Sequence, residues 1–357
     1  MDITDLRRRM LRELPDLARE RLGVPPAEIT DLRLEPIGYT SGAVSTFGLW
    51  RARAATAGGA DVSFVVKAIR APRHISVPGI PAEQRDQAAA RYPWRADLDA
   101  YLAARPLPPG LRVPRLFRVT DLGEDRLMVW MEDVPVRSAP WDLDRYGRAA
   151  RLLGAMAELN PADGPDVGLR RYCEGPVASL FLPALRDPEV WRHPLVAEHA
   201  DPLLRADLLA LADRVPSLLA AADRLPHAFA HGDACPQNLL VPADGSAEFV
   251  AIDWGWPHPT AVGFDLGQLL VGLAHEGLTE PADLPAVHKT IEAAYTAAVT
   301  AAPDEVALGY AVSLVLRSAW TALPLDRLHE EPTPRSHDLF RRRAGLARFI
   351  ADLGRSL

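Results

Sequence analysis

The chain has 357 residues, 48% of them hydrophobic, with 40 basic and 47 acidic side chains and a net charge of −7, enough for sizeable cores in two or three structural units and incompatible with a disordered chain. No apolar run approaches the roughly 20 residues of a membrane span, the opening MDITDLRRRMLREL is charged throughout rather than leader-like, and Cys173 and Cys235 are too few for a disulfide framework or a structural zinc site. Residues 1–134 carry a net +2 and the remainder −9, which argues against nucleic acid as a partner, since phosphate binding needs clustered positive charge, and leaves a cytoplasmic protein with no membrane partner as the expectation.

Residues 2–21 read as an amphipathic helix, with Leu6, Met10, Leu14 and Leu17 spaced four, four and three apart. Pro15 predicts a kink or a break within it. The period then changes. Segments 31–37, 46–53 and 62–69 are short, β-branched or aromatic, and separated by the glycine-containing breaks Gly38–Gly42 and Ala57–Asp61, which predicts an antiparallel meander. A helix follows at 94–104, closed by the proline-rich stretch Pro106–Gly110, and two further strands fit 115–120 and 126–131.

Beyond Asp133 the texture is mostly helical, at 142–159, 201–223, 261–276, 284–301, 305–322 and 336–355. One island interrupts it at 238–253, where NLLV and EFVAID flank the turn Pro242–Gly245 and predict a hairpin. The fold class is therefore α+β. A helical extension (1–30) precedes a β-rich lobe (31–133) and a mostly helical lobe (134–357).

The strongest chemical signal is His231-Gly232-Asp233-Ala234-Cys235-Pro236-Gln237-Asn238, followed by Ile252-Asp253-Trp254 at the end of the hairpin. Phosphoryl transfer needs an acceptor for the attacking hydroxyl's proton and oxygen ligands for the Mg²⁺ that bridges the nucleotide phosphates. An Asp five residues before an Asn, with a second Asp one hairpin later, can supply those roles from one short segment, with Asp233 as base and Asn238 and Asp253 on the metal.

This pattern, His-Gly-Asp-x-x-x-x-Asn then Ile-Asp-Trp, resembles the aminoglycoside phosphotransferase and choline kinase family, relatives of the protein kinases. The resemblance covers roughly residues 30–320. It implies a protein-kinase-like fold, a small five-stranded lobe over a larger helical lobe with nucleotide in the cleft. Lys67, ending the third strand in Phe64-Val65-Val66-Lys67, matches the family's phosphate-binding lysine. Its presence is notable in a chain with only one other lysine, Lys289. The turn holding Thr40, Ser41 and Gly42 falls where the family covers the phosphates.

Asp97 falls at the place of the lysine's helix partner, normally a glutamate; with one methylene fewer it would need a closer helix or a bridging water, and Asp99 and Glu83 are rivals for the role. Backbone near Glu132 and Val134 resembles the adenine-reading hinge. Asp265 resembles a structural acceptor for the catalytic loop, and His231 reads as architectural. Cys235 reads as a small buried filler.

The implied activity is transfer of the γ-phosphoryl group of Mg·ATP or Mg·GTP to a hydroxyl of a small molecule. The acceptor class is aminoglycoside-like or another antibiotic or natural product. The alternatives are a choline-, amino-alcohol- or sugar-type kinase and, from another class, a non-catalytic nucleotide-binding pseudokinase. No motif fixes the acceptor pocket. Glu276, Glu280, Asp283, Glu330 and Glu331 are the acidic candidates for holding a cationic acceptor.

Overall fold

The computed structural model describes residues 3–25, 28–38, 45–74 and 93–357. Thr40, Ser41 and Gly42, and the rival Glu83, lie outside these described residues. The chain divides into two compact units, one formed by 1–104 and 113–135, the other by 105–112 and 136–357.

In the first unit the alternating segments become β1 (Ile29–Pro36), β2 (Thr46–Thr56), β3 (Asp61–Arg70), β5 (Leu116–Asp121) and β6 (Arg126–Glu132), while β4 (Leu111–Arg112) belongs to the other unit. They pair in the order β1-β2-β3-β6-β5, antiparallel throughout. Strand alternation gives β3 two different faces. Phe64, Val66 and Ala68 join Trp50, Met128 and Trp130 in one apolar cluster, whereas Ile69, with Val65 packed alongside, joins Leu98, Val129 and Met131 in another.

The first cluster is closed by α1 (Ile3–Leu22), whose Leu6, Met10, Leu14 and Leu17 are buried in it. The amphipathic stretch therefore spends its apolar stripe on this sheet. Its polar face is keyed in as well, because the buried carboxylate of Glu13 accepts hydrogen bonds from Thr120 Oγ1 (2.8 Å) and Trp130 Nε1 (3.0 Å). The expected break into two helices at Pro15 does not occur, and α1 runs through it. The N–H that proline lacks would have bonded the carbonyl of Leu11, and Leu11 is 40% exposed, so solvent can take its place. On the opposite face lies the short α2 (Ala96–Leu102), held by Leu98.

The second unit is mostly helical: α3 (Leu143–Leu159), α4 (Leu204–Asp213), α5 (Val215–Ala222), α6 (Phe264–His275), α7 (Leu284–Thr296), α8 (Pro303–Ser318) and α9 (Pro334–Arg355). The single helix expected over 201–223 is two, because Pro216 cannot continue a hydrogen-bonded ladder and instead opens α5. Residues 167–197, where no element was expected, form short helical turns opened or interrupted by Pro176, Pro183, Pro188 and Pro194.

The hairpin is present as β9 (Leu239–Leu240) and β10 (Phe249–Ala251), and β4 adds to it in parallel. A further small sheet joins β7 (Pro161–Ala162), β8 (His227–Ala230) and β11 (His258–Ala261). By length and composition the stretch Pro303–Arg327 passes as a membrane span, but 78% of its most apolar window is buried inside the protein, as befits a core helix.

Candidate active site

Lys67 lies in register between Leu49 and Val129 and, by alternation, on the α2 face of the sheet. Its Nζ meets Asp97 Oδ2 at 2.8 Å, with both side chains only 12% exposed. The shorter carboxylate thus needs no bridging water. Leu98 and Trp94 pack against Ile69, Val65 and Val129 and draw the helix close enough for Asp97 to reach.

At the end of β6, Glu132 donates its N–H to Arg115 O (2.9 Å) and accepts from Arg115 N through Oε2 (3.1 Å). Asp133 is fixed by Arg51 (2.7 and 3.1 Å) and Ser63 Oγ (2.7 Å), and Val134 is buried. This anchoring of Asp133 was not legible in the sequence, since both partners come from strands some 70 to 80 residues away.

In the second unit β8 delivers His231-Gly232-Asp233. Gly232 has φ +85°, and a Cβ there would stand 1.8 Å from the carbonyl oxygen of Trp256, so the turn admits only glycine. The backbone N–H groups of His231 and Gly232 each donate to the carboxylate of Asp265 at 2.9 Å. Burial pushes Asp265 above the usual carboxylate range, and those two donors oppose the shift.

His231 is completely buried, and burial lowers it to about 4, so its ring is neutral near pH 7. Nδ1 then accepts from Asp233 N (3.1 Å) while Nε2 donates to Ile252 O (3.1 Å). One imidazole therefore ties the Asp233 loop to the segment carrying Asp253. Cys235 is partly buried, and burial pushes its thiol up to about 12, which keeps it unreactive.

Asp233 is gripped at both oxygens. Asn238 Nδ2 donates to Oδ2 (3.0 Å) and to the Asp233 carbonyl (2.9 Å), and Arg317 Nη2 donates to Oδ1 (3.1 Å). Arg317 also donates to the Gly232 carbonyl, and its guanidinium lies 4.2 Å from the centre of the Trp256 ring. The cation over Trp256 is thus the chain's own; Trp130 and Trp254 are core residues.

Burial is the main cause holding Asp233 above the ordinary carboxylate range, with Arg317 pulling it down and Asp253 pushing it up. Asn238 spends its amide nitrogen on Asp233, which leaves its oxygen to serve as a metal ligand. Asp253, in the left-handed region at φ +58°, adds a second oxygen-bearing group. Hard oxygen donors of this kind suit Mg²⁺.

Arg317 was missed in the sequence. The available signal was a lone charge in the apolar run Leu314-Val315-Leu316-Arg317-Ser318-Ala319-Trp320 across the end of α8, because a guanidinium with little exposure needs a partner. At the C-terminal ends of α6 and α8 a cavity of about 620 Å³ is lined by His275, Glu276, Trp320, Thr321, Asp326 and Arg343, among others. Arg343 donates to the carbonyls of Ala322 (2.6 Å), His275 (2.6 Å) and Thr321, so its charge serves the backbone, and Glu276 and Asp326 are the acids of the cavity wall. Of the other acidic candidates, Glu280 pairs with Arg341 and Arg342, and Glu330 with Arg327.

The family model described as "Phosphotransferase enzyme family" matches residues 54–307, and the chain belongs to that family. It is a small-molecule kinase with a protein-kinase-like fold. Among solved structures it is similar to an aminoglycoside phosphotransferase from Alicyclobacillus acidocaldarius (16% identity, 93% of this chain and 96% of that one, TM-score 0.51). It is also similar to an aminoglycoside phosphotransferase from Streptomyces rimosus in complex with ADP and streptomycin (18%, 83% and 97%, 0.43) and to a choline kinase from Streptococcus pneumoniae (14%, 95% and 99%, 0.45). A comparison with curated proteins finds no significant match.

Proposed function

We propose that this enzyme moves the γ-phosphoryl group of ATP or GTP to a hydroxyl of a small, amine-bearing natural product of the aminoglycoside type, in the cytoplasm, and so inactivates an antibiotic. The observation that carries the reading is Asp233, a part-exposed carboxylate clamped by Asn238 and Arg317 beside Asp253. In this assignment Asp233 orients the acceptor hydroxyl and takes its proton. The hydroxyl oxygen bonds to the γ-phosphorus as the bond to the β–γ bridging oxygen breaks. Asn238 and Asp253 would hold Mg²⁺, which when bound neutralises phosphate charge.

Lys67, oriented by Asp97, would contact the α- and β-phosphates, the turn with Thr40, Ser41 and Gly42 would cover them, and backbone near Glu132 and Val134 would read the base. The protein's contribution is chiefly positioning and charge compensation.

The amine-bearing acceptor rests on Glu276 and Asp326, the two acids in the wall of the cavity at the C-terminal ends of α6 and α8. The test is incubation with Mg·ATP or Mg·GTP and a panel of aminocyclitols, amino alcohols and neutral sugars, read by mass spectrometry. The reading expects a phosphorylated aminocyclitol product that disappears in Asp233→Asn. Turnover confined to choline-like or neutral sugars would overturn the acceptor class, and binding of nucleotide with no product from any acceptor would favour the pseudokinase reading.

A further inference from the structure

Apart from the residues assigned to phosphoryl transfer, three side chains converge on one point. Glu198 closes the short helix Pro194–Ala197, His199 follows it, and His337 lies in the first turns of α9. His199 Nε2 and His337 Nδ1 are 3.1 Å apart, Glu198 Oε2 is 3.2 Å from His337 Nδ1, and Glu198 Oε1 is 3.9 Å from His199 Nε2. The imidazoles are part-buried, at 14% and 33% exposure, and the carboxylate is open to solvent.

Hydrogen bonding satisfies this arrangement only by sharing one proton among three groups. His337 Nδ1 offers either one N–H or one lone pair. As a donor it must divide its proton between an imidazole nitrogen and a carboxylate oxygen. As an acceptor from His199 it turns a lone pair toward the carboxylate. A dication between them would be met by all three side chains at once. Ligands about 2.0–2.1 Å from a tetrahedral Zn²⁺ stand roughly 3.3 Å apart, close to the two shorter separations seen.

We propose that Glu198, His199 and His337 form a second metal site, for Zn²⁺ or a similar borderline divalent cation, with its fourth position open to solvent. Two imidazoles and one carboxylate suit zinc and disfavour Mg²⁺ and Ca²⁺, which prefer all-oxygen shells. The ligands are pre-positioned. Thr333 Oγ1 caps α9 at Ser336 N (3.1 Å), and Leu195, Val196 and Phe340 form an apolar cluster beneath the two elements. The bound ion would staple the segment before residue 200 to the last helix.

The test uses the untagged full-length protein, stripped with a chelator and titrated with Co²⁺ and then Zn²⁺. The site predicts one-to-one Co²⁺ binding with a visible ligand-field spectrum, its displacement by Zn²⁺, and a rise in Tm with Zn²⁺ but not with Mg²⁺ alone. His199→Gln and His337→Gln should each lose the spectrum and the Zn²⁺ shift, and Glu198→Gln, which leaves both part-buried imidazoles in place, should weaken Zn²⁺ binding. Absence of a Co²⁺ spectrum from the wild type, or its persistence in both histidine variants, would overturn the proposal.

Discussion

In the proposed mechanism the residue that decides the chemistry is Asp233, and its environment explains why it is held by two partners. Burial alone would favour its protonated form, unfit to accept a proton, and Arg317 offsets that. Asp233→Asn should lower kcat by about 10²–10⁴ with little change in nucleotide affinity, as measured by steady-state kinetics beside nucleotide titration. Arg317→Met removes the influence that lowers Asp233, so the Asp233 pKa rises further. Because the ionised form is the active one, the acid limb of the kcat/KM profile should move to higher pH; an unmoved limb would show that Arg317 does not tune the base.

At this scale the sequence was informative for the motif and silent on what surrounds it. Spacing set out Asp233, Asn238 and Asp253. The clamp by Arg317 joins residues 84 apart, and no local pattern encodes such a contact. Asp97 shows the reverse case: a side chain shorter than the family's usual glutamate meets Lys67 directly at 2.8 Å, because the depth of helix packing, which the sequence does not display, supplies the missing reach.

Among the elements, α1 shows most clearly how packing overrides local signals. Its stripe of Leu6, Met10, Leu14 and Leu17 was legible as amphipathic, and Pro15 was legible as a breaker. The stripe prevailed because it is buried against the sheet along the whole helix. Leu14→Ala should destabilise the protein by about 2–5 kcal/mol, read as a lower midpoint in urea unfolding; a change under about 0.5 kcal/mol would place α1 outside the cooperative unit. Strands β8 and β11 were missed for a different reason. His227–Ala230 and His258–Ala261 are four residues each, too short to show a period. The turns between 167 and 197 were hidden by their prolines, which start helices as readily as they stop them.

For the whole molecule, His231 and His275, which desolvation keeps neutral, weaken stability on the acid side. Burial lowers His231 to about 4 and His275 to about 3, against an ordinary value near 6.5 in the unfolded chain. Below about pH 6.5 the unfolded state binds protons that the folded state refuses. Stability should therefore fall as pH drops from about 6.5 toward 4, by about 1.4 kcal/mol per pH unit for each histidine. Tm measured across that window should show the slope, and His275→Gln should flatten it; a variant with the wild-type slope would remove His275 from the account.

The central claim, that this kinase fold carries a working Mg·nucleotide site with Asp253 as a ligand, is tested most directly by thermal unfolding with ATP or GTP, with and without Mg²⁺, on wild type and Asp253→Ala. Ligand at about 100 times Kd adds about 2.7 kcal/mol, which is a rise of several degrees in Tm. The account predicts a Mg²⁺-dependent rise in the wild type that is lost in the variant. No rise with either nucleotide, or an equal rise in Asp253→Ala, would contradict it.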